Sequence, residues 1–166
     1  MLQFDPNIPG LMEGEVTGVA VIDPQPFKYG VGNHVVDPNK PFELKIEWTI
    51  FGQLVPLWLS ALEGEWDVSA YAESLGKGPE KRLGTAKVKT TEAEELEDKT
   101  KPNLKKYTVT IKVPEKTLPP HDPGSDVGGI YKLVTAVFLN SKIAGVLGFD
   151  LVGYSEGPII QVEEPH

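Results

Sequence analysis

Apolar and polar side chains alternate strictly along "FELKIEWTI", with Phe42, Leu44, Ile46, Trp48 and Ile50 set against Glu43, Lys45, Glu47 and Thr49. A period of two places one set on each face of a pleated strand, so the segment predicts a half-buried strand with a solvated outer side. "YTVTIKV" repeats the pattern, Tyr107, Val109, Ile111 and Val113 inward and Thr108, Thr110 and Lys112 outward. "EWDVSAYAESL" offers Trp66, Val68, Ala70 and Ala72 on one face and "GTAKVKT" offers Ala86 and Val88. With "GKGPEKR" between them the two predict a hairpin. "GEVTGVAVID" predicts an early strand with Val16, Ala20 and Ile22 on one side and Val19 and Val21 on the other.

"IYKLVTAVFLN" is apolar on both faces, Tyr131, Leu133, Val137 and Leu139 opposing Val134, Ala136 and Phe138. That is the pattern of a central strand whose second face is also covered, by a loop or a partner. "SK" then separates it from "IAGVLGFDLVGYS", which predicts a return strand, and "PIIQVEE" continues the pattern. Prolines interrupt almost every window long enough for a helix. One short exception is "EAEELED", where Thr91 and Glu94 have capping-box spacing; the alternative is a solvated charged loop. Seven to nine strands separated by turn signals predict an all-β, antiparallel β-sandwich. The expected organisation is one domain over residues 1–166, with 1–14 as an irregular N-terminal segment.

A turn followed by "GGIYKLVTAVFLN", a hairpin and a final strand resembles the last two strands of an immunoglobulin-like or fibronectin-type-III-like sandwich. Tyr131 stands where such folds carry the tyrosine of the corner motif, and Trp66 in "EWDVSAY" resembles their buried core tryptophan. The resemblance covers residues 41–163 and implies a superfamily that mostly serves recognition and assembly. The disulfide pair of antibody domains is missing, and residues 20–40 define no clear strand, which leaves a jelly roll as the alternative.

Composition narrows the function classes. Of 166 residues, 40% are hydrophobic and 24% charged, an ordinary globular balance. The net charge of −8 repels phosphate backbones and anionic lipid, and the basic cluster Lys99, Lys101, Lys105 and Lys106 directly follows the acidic run Glu92–Asp98. Neither nucleic acid nor a membrane is an expected partner. The chain has no cysteine, which rules out thiolate metal sites and cysteine nucleophiles and favours a reducing compartment. With no basic-then-apolar leader at the start and no apolar run of membrane-spanning length, the cytoplasm is the expected location.

Four stretches carry candidate chemistry. "LPPHDPGSDVGG" places Asp122 and Asp126 four apart around a flexible turn, with His121 beside them, an oxygen-rich loop of the kind calcium takes. The prolines and glycines there also suffice to turn the chain, with the aspartates bonding their own backbone. His34 could pair with His121 if their loops share an end of the sandwich, but two ligands do not make a zinc site, which needs at least three. "GYSEG" spells a nucleophile elbow, but Pro158 and "IIQVEE" follow where a helix is needed, so a bulge within the last strand pair is expected. "ESLGKGPEKRLG" lacks the spacing of a phosphate loop.

The fourth stretch is "FGQLVPLWLSALEG", where Leu54, Val55, Leu57, Trp58, Leu59 and Leu62 crowd too closely for one strand face to hide. Either this connection tucks over the end of the core, or it is an interface covered by another protein or a second copy. The expectation is a non-enzymatic protein-binding or assembly module without a cofactor, using this surface, with the outer face of strand 131–139 as second choice. Self-association would then give an isologous homodimer. The alternative is a calcium- or metal-dependent module, with carbohydrate as one candidate ligand.

Overall fold

The computed structural model describes residues 4–22, 34–61, 64–120, 129–139 and 150–164. Its strands are β1 (Phe4–Asp5), β2 (Glu13–Ile22), β3 (Val35–Val36), β4 (Phe42–Phe51), β5 (Glu65–Ser74) and β6 (Lys81–Lys89). After them come β7 (Glu94–Glu95), β8 (Lys105–Val113), β9 (Gly129–Leu139) and β10 (Leu151–Val162). A short helix, α1 (Val55–Ala61), joins β4 to β5, and a single 3-10 turn, Thr90–Glu92, follows β6. No helix among the described residues is long and apolar enough to cross a membrane.

The strands form two sheets. One runs β2-β4-β8-β7; the other runs β1-β10-β9-β5-β6, with β3 also beside β10. All pairings are antiparallel except that of β3 with β10. The predicted hairpin is β5–β6, in which Trp66 faces Val88 and Val68 faces Ala86. The predicted return strand pairs with β9 from Leu151 onward; residues 140–149, its expected beginning, lie outside the described residues.

The two inner faces meet in one core. Trp48 of β4, Trp66 of β5 and Tyr107 of β8 are fully buried at its centre. The two indoles meet edge-on at 5.7 Å, and Trp48 stacks on Tyr107 at 5.5 Å. Rings of this size carry much of the burial energy, on the order of 1.5–3 kcal/mol for each large side chain hidden.

Three expectations are corrected. In β2 the register slips between Val16 and Gly18, so Val16, Val19 and Val21 all pack on the core while Ala20 and Ile22 are exposed. A bulge adds one residue and flips the phase beyond it, which strict alternation cannot anticipate. "EAEELED" is not helical: after the 3-10 turn, Glu94 and Glu95 pair with Lys106 and Lys105. Cross-strand opposite charges stabilise that short strand where a two-turn helix has little of its own to hold it. Finally, part of the N-terminal segment is ordered: β1 pairs with Val152 and Gly153, and the Phe4 ring lies so close that a Cβ on Gly153 would fall 2.2 Å from it.

Candidate functional site

The crowded apolar stretch 54–62 is resolved by helical period. Val55 is fully buried, and Trp58 and Leu59 pack against the core at the three- and four-residue spacing that shares one helix face. Leu57 is thereby turned outward and is 67% exposed. Pro56 sits in the first turn, where a missing amide costs nothing. Leu54 is half-buried, and Leu62 lies outside the described residues.

The entry to α1 is rigidly set. Gly52 has φ 134°, and a Cβ there would lie 2.2 Å from the Leu11 carbonyl oxygen, so only glycine fits. Its amide donates to Pro102 O at 2.8 Å, Asn103 Nδ2 donates to its carbonyl at 3.1 Å, and the amides of Gln53 and Leu54 donate to Gly10 O and Leu11 O. One side of α1 is thus anchored to two neighbouring loops, and its outer side is free to face solvent.

Opposite α1 stands the segment 90–97. Thr90 is fixed by its amide and hydroxyl donating to Gly64 O and by Tyr107 Oη donating to its own carbonyl at 2.8 Å. Burial pushes the Tyr107 hydroxyl pKa up to about 12, so it stays a donor. Further along, the Leu96 amide donates to Leu104 O, and Lys105 Nζ meets Glu95 Oε1 at 2.8 Å. That bond to Lys105 holds the Glu95 carboxyl below its ordinary range.

Between these walls lies a cleft of about 890 Å³. Leu59, Ala93, Leu96 and Leu104 supply apolar surface; Glu95, Glu97 and Lys105 supply charge. Leu96 is 38% exposed. Since Lys105 is engaged by Glu95, the free charge of the rim is negative, with Glu92 and Glu94 exposed close by. Sequence reasoning missed this second wall, although a lone leucine inside the run Glu94–Asp98 was the signal available.

The other candidates fare differently. His121, Asp122 and Asp126 lie outside the described residues, but both ends of their loop are placed: Gly129 N donates to Pro120 O at 2.7 Å, and Tyr131 Oη donates to Pro119 O at 3.2 Å. Pro119 and Pro120 also line a second hollow, of about 600 Å³, with Lys77, Lys81 and Lys116 around it. His34 is exposed and uses its carbonyl to accept from Gln161 N. Among the described residues, no three His, Asp or Glu side chains gather as a metal cluster. Ser155 lies in the middle of β10 opposite Thr135, and the register slips just after it, between Glu156 and Ile159, at Gly157 with φ 106°. A serine in mid-strand is not on a strand-to-helix elbow.

The chain matches no protein-family model and no curated protein. Eight chains of solved structures match it. One is a β-glucosidase from Erythrobacter marinus, 8% identical, with a TM-score of 0.43 over 91% of this chain. The chain spans 15% of the length of that protein, and a similarity this weak carries no argument about either fold or activity.

Proposed function

We propose that the chain is an immunoglobulin-like sandwich acting as a non-enzymatic protein-binding module, with the cleft between α1 and residues 90–97 as its binding site. The sheet orders β2-β4-β8-β7 and β6-β5-β9-β10, with β3 running parallel beside β10, support the immunoglobulin-like reading over a jelly roll. So do the Tyr131 hydroxyl bonding back to Pro119, and Trp66 buried on β5. A lack of cysteine accords with work in the cytoplasm.

The observation that carries the binding reading is the pairing of apolar surface with an acidic rim in one cleft: Leu96 exposed on one wall, Pro56 and Leu59 of α1 on the other, Leu104 also lining it, and Glu95 and Glu97 on the rim. Exposed apolar groups that border a concavity are what a partner desolvates. Acidic residues around them select a polypeptide whose apolar anchor is flanked by lysine or arginine. Panning a random-peptide library on the protein tests this. Enrichment of such basic, apolar peptides, and their loss on Leu96→Lys, supports the reading; peptides that bind Leu96→Lys as well as the wild-type protein overturn the site.

A further inference from the structure

At the end of the sandwich away from α1, Phe42 pairs with Val113, whereas Ile50, close to the start of α1, pairs with Lys105 at the other end. Here a hollow of about 600 Å³ lies between the loop before β4, the β5–β6 turn and the segment that follows β8. Pro38, Pro79, Leu118, Pro119 and Pro120 give it an apolar surface, of which Pro38 and Leu118 are buried. Lys77, Lys81, Lys116 and Glu164, all exposed, supply its charge. The lining is therefore net positive, three lysines against one carboxylate, in a chain of net charge −8. The α1 cleft has the reverse balance, with Glu95 and Glu97 against Lys105.

The segments that carry the lysines are tied down by their own hydrogen bonds. Ser74 Oγ accepts from the amides of Gly76 at 3.1 Å and Gly78 at 3.0 Å, which closes the turn bearing Lys77. Thr117 Oγ1 donates to Pro114 O at 2.7 Å, and the Lys116 amide donates to Pro38 O at 2.7 Å. Lys116 itself has φ 61°, a left-handed backbone that glycine or asparagine adopts at less cost. A lysine kept at such a position points to a use for its side chain. Lys45, Lys87, Lys106 and Lys132 each lie within 4 Å of a carboxylate, but neither Lys81 nor Lys116 has an ion pair among the described residues. Unneutralised cations beside an apolar floor draw a negative group from outside the chain.

We propose that this hollow binds an organic anion: a carboxylate carried on a small apolar group, with Lys81 and Lys116 meeting the charge and Leu118 and the prolines covering the apolar part. Its volume falls within the range of roughly 300–1,000 Å³ found for sites that take small ligands. A lysine acts on an anion as a point charge, without the planar fork of arginine, so charge together with apolar bulk selects the ligand here. The lysines come from loops held by a rigid pair of sheets, which is where binding groups concentrate. The site is separate from the α1 cleft, which lies at the other end of the sandwich, and does not depend on that reading.

Amide NMR of the nitrogen-labelled protein, titrated with phenylacetate and separately with its neutral counterpart phenylacetamide, tests it. The expected result is a saturable shift of the Gly78, Lys81, Lys116 and Leu118 amides with phenylacetate and none with phenylacetamide. Lys81→Gln with Lys116→Gly should weaken binding by at least about tenfold, the loss of two charged contacts. The same variant should show no fall in its unfolding midpoint, because glycine suits the left-handed backbone at 116. Leu96→Lys, at the other end, should bind phenylacetate as the wild type does. A peptide acetyl-Glu-Phe-Glu-amide, titrated alongside, distinguishes the source of the anion: tighter binding than phenylacetate marks a polypeptide and weaker binding a free acid, and both uphold the site. Shifts absent with both anions, equal shifts with phenylacetamide, or shifts unchanged in the double variant overturn it.

Discussion

Removing the Tyr131 hydroxyl is the sharpest probe of how the sandwich closes. Tyr131 is fully buried at the start of β9, and its Oη donates to Pro119 O at 3.2 Å, which is long for a hydroxyl donor. Tyr131→Phe keeps the ring and removes the hydroxyl that makes that bond. The net cost of one neutral bond is about 0.5–1.5 kcal/mol, and because Pro119 is only half-buried its carbonyl can recruit water, so no large desolvation penalty is added. In a chain of this length each kcal/mol moves the midpoint by about 2–4 °C, so the expected fall is roughly 1–6 °C.

Gly129→Ala attacks the same corner sterically. A Cβ there lies 2.8 Å from Tyr131 Cε2 and 2.9 Å from Pro119 O, so ring and carbonyl must both give way. Overpacking of that kind costs about 1–3 kcal/mol. The two substitutions share one contact, and in the double variant their effects should therefore fall short of the sum. Differential scanning calorimetry of the four proteins decides. A midpoint unchanged in Tyr131→Phe, together with strict additivity in the double variant, would refute a hydrogen-bonded corner and with it one support for the immunoglobulin-like reading.

Other expectations follow from single groups. Thr135 is fully buried with a hydroxyl that has no partner among the described residues, so Thr135→Val should raise stability by about 1 kcal/mol, read as a midpoint about 2–4 °C higher. Tyr107, raised to about 12 by burial, keeps its proton in the folded state while the unfolded chain loses it near 10; its contribution is full below about pH 10 and is lost as pH rises toward 12, seen as a late phenol in the ultraviolet titration that Tyr107→Phe removes. Glu156 is held low by the Tyr154 hydroxyl and Lys132, and Glu95 by Lys105, so their contributions are complete above the ordinary glutamate value of about 4.3 and decline as pH falls below it, measurable by urea unfolding at pH 3 to 6. Millimolar calcium or zinc should leave the midpoint in place; a rise of roughly 5–10 °C that Asp122→Asn with Asp126→Asn abolishes would instead make the 121–126 loop a metal site.

The strands whose outer faces meet water were legible because their period of two is clean: Phe42 to Ile50 and Tyr107 to Val113 alternate without a break. β2 was misread in phase because its bulge at Val16–Gly18 is a matter of pairing, and pairing leaves no periodic mark. α1 escaped because seven residues hold too few turns to show a period, and Pro56 looks like a breaker unless it is placed in the first turn. Residues 54–59 were found by apolar density alone. Which of them face outward depended on the helix, so the exposed side chain is Leu57 and not Trp58, which packs on the core. The far wall of the cleft was invisible in the sequence because Leu96 reaches α1 only through the pairing of β7 with β8.

Whether the α1 cleft binds another protein is tested most directly by site-specific crosslinking in cells. Ser60→Cys, at an exposed position that lines the cleft, supplies a single thiol in a chain with no other cysteine, and a photoreactive group attached there reports what touches the cleft. The expected result is a covalent adduct with a discrete protein, absent when Leu96→Lys is added and absent when the group is placed at exposed Lys112 of β8 instead. The same adducts from positions 60 and 112, or an adduct indifferent to Leu96→Lys, would contradict it.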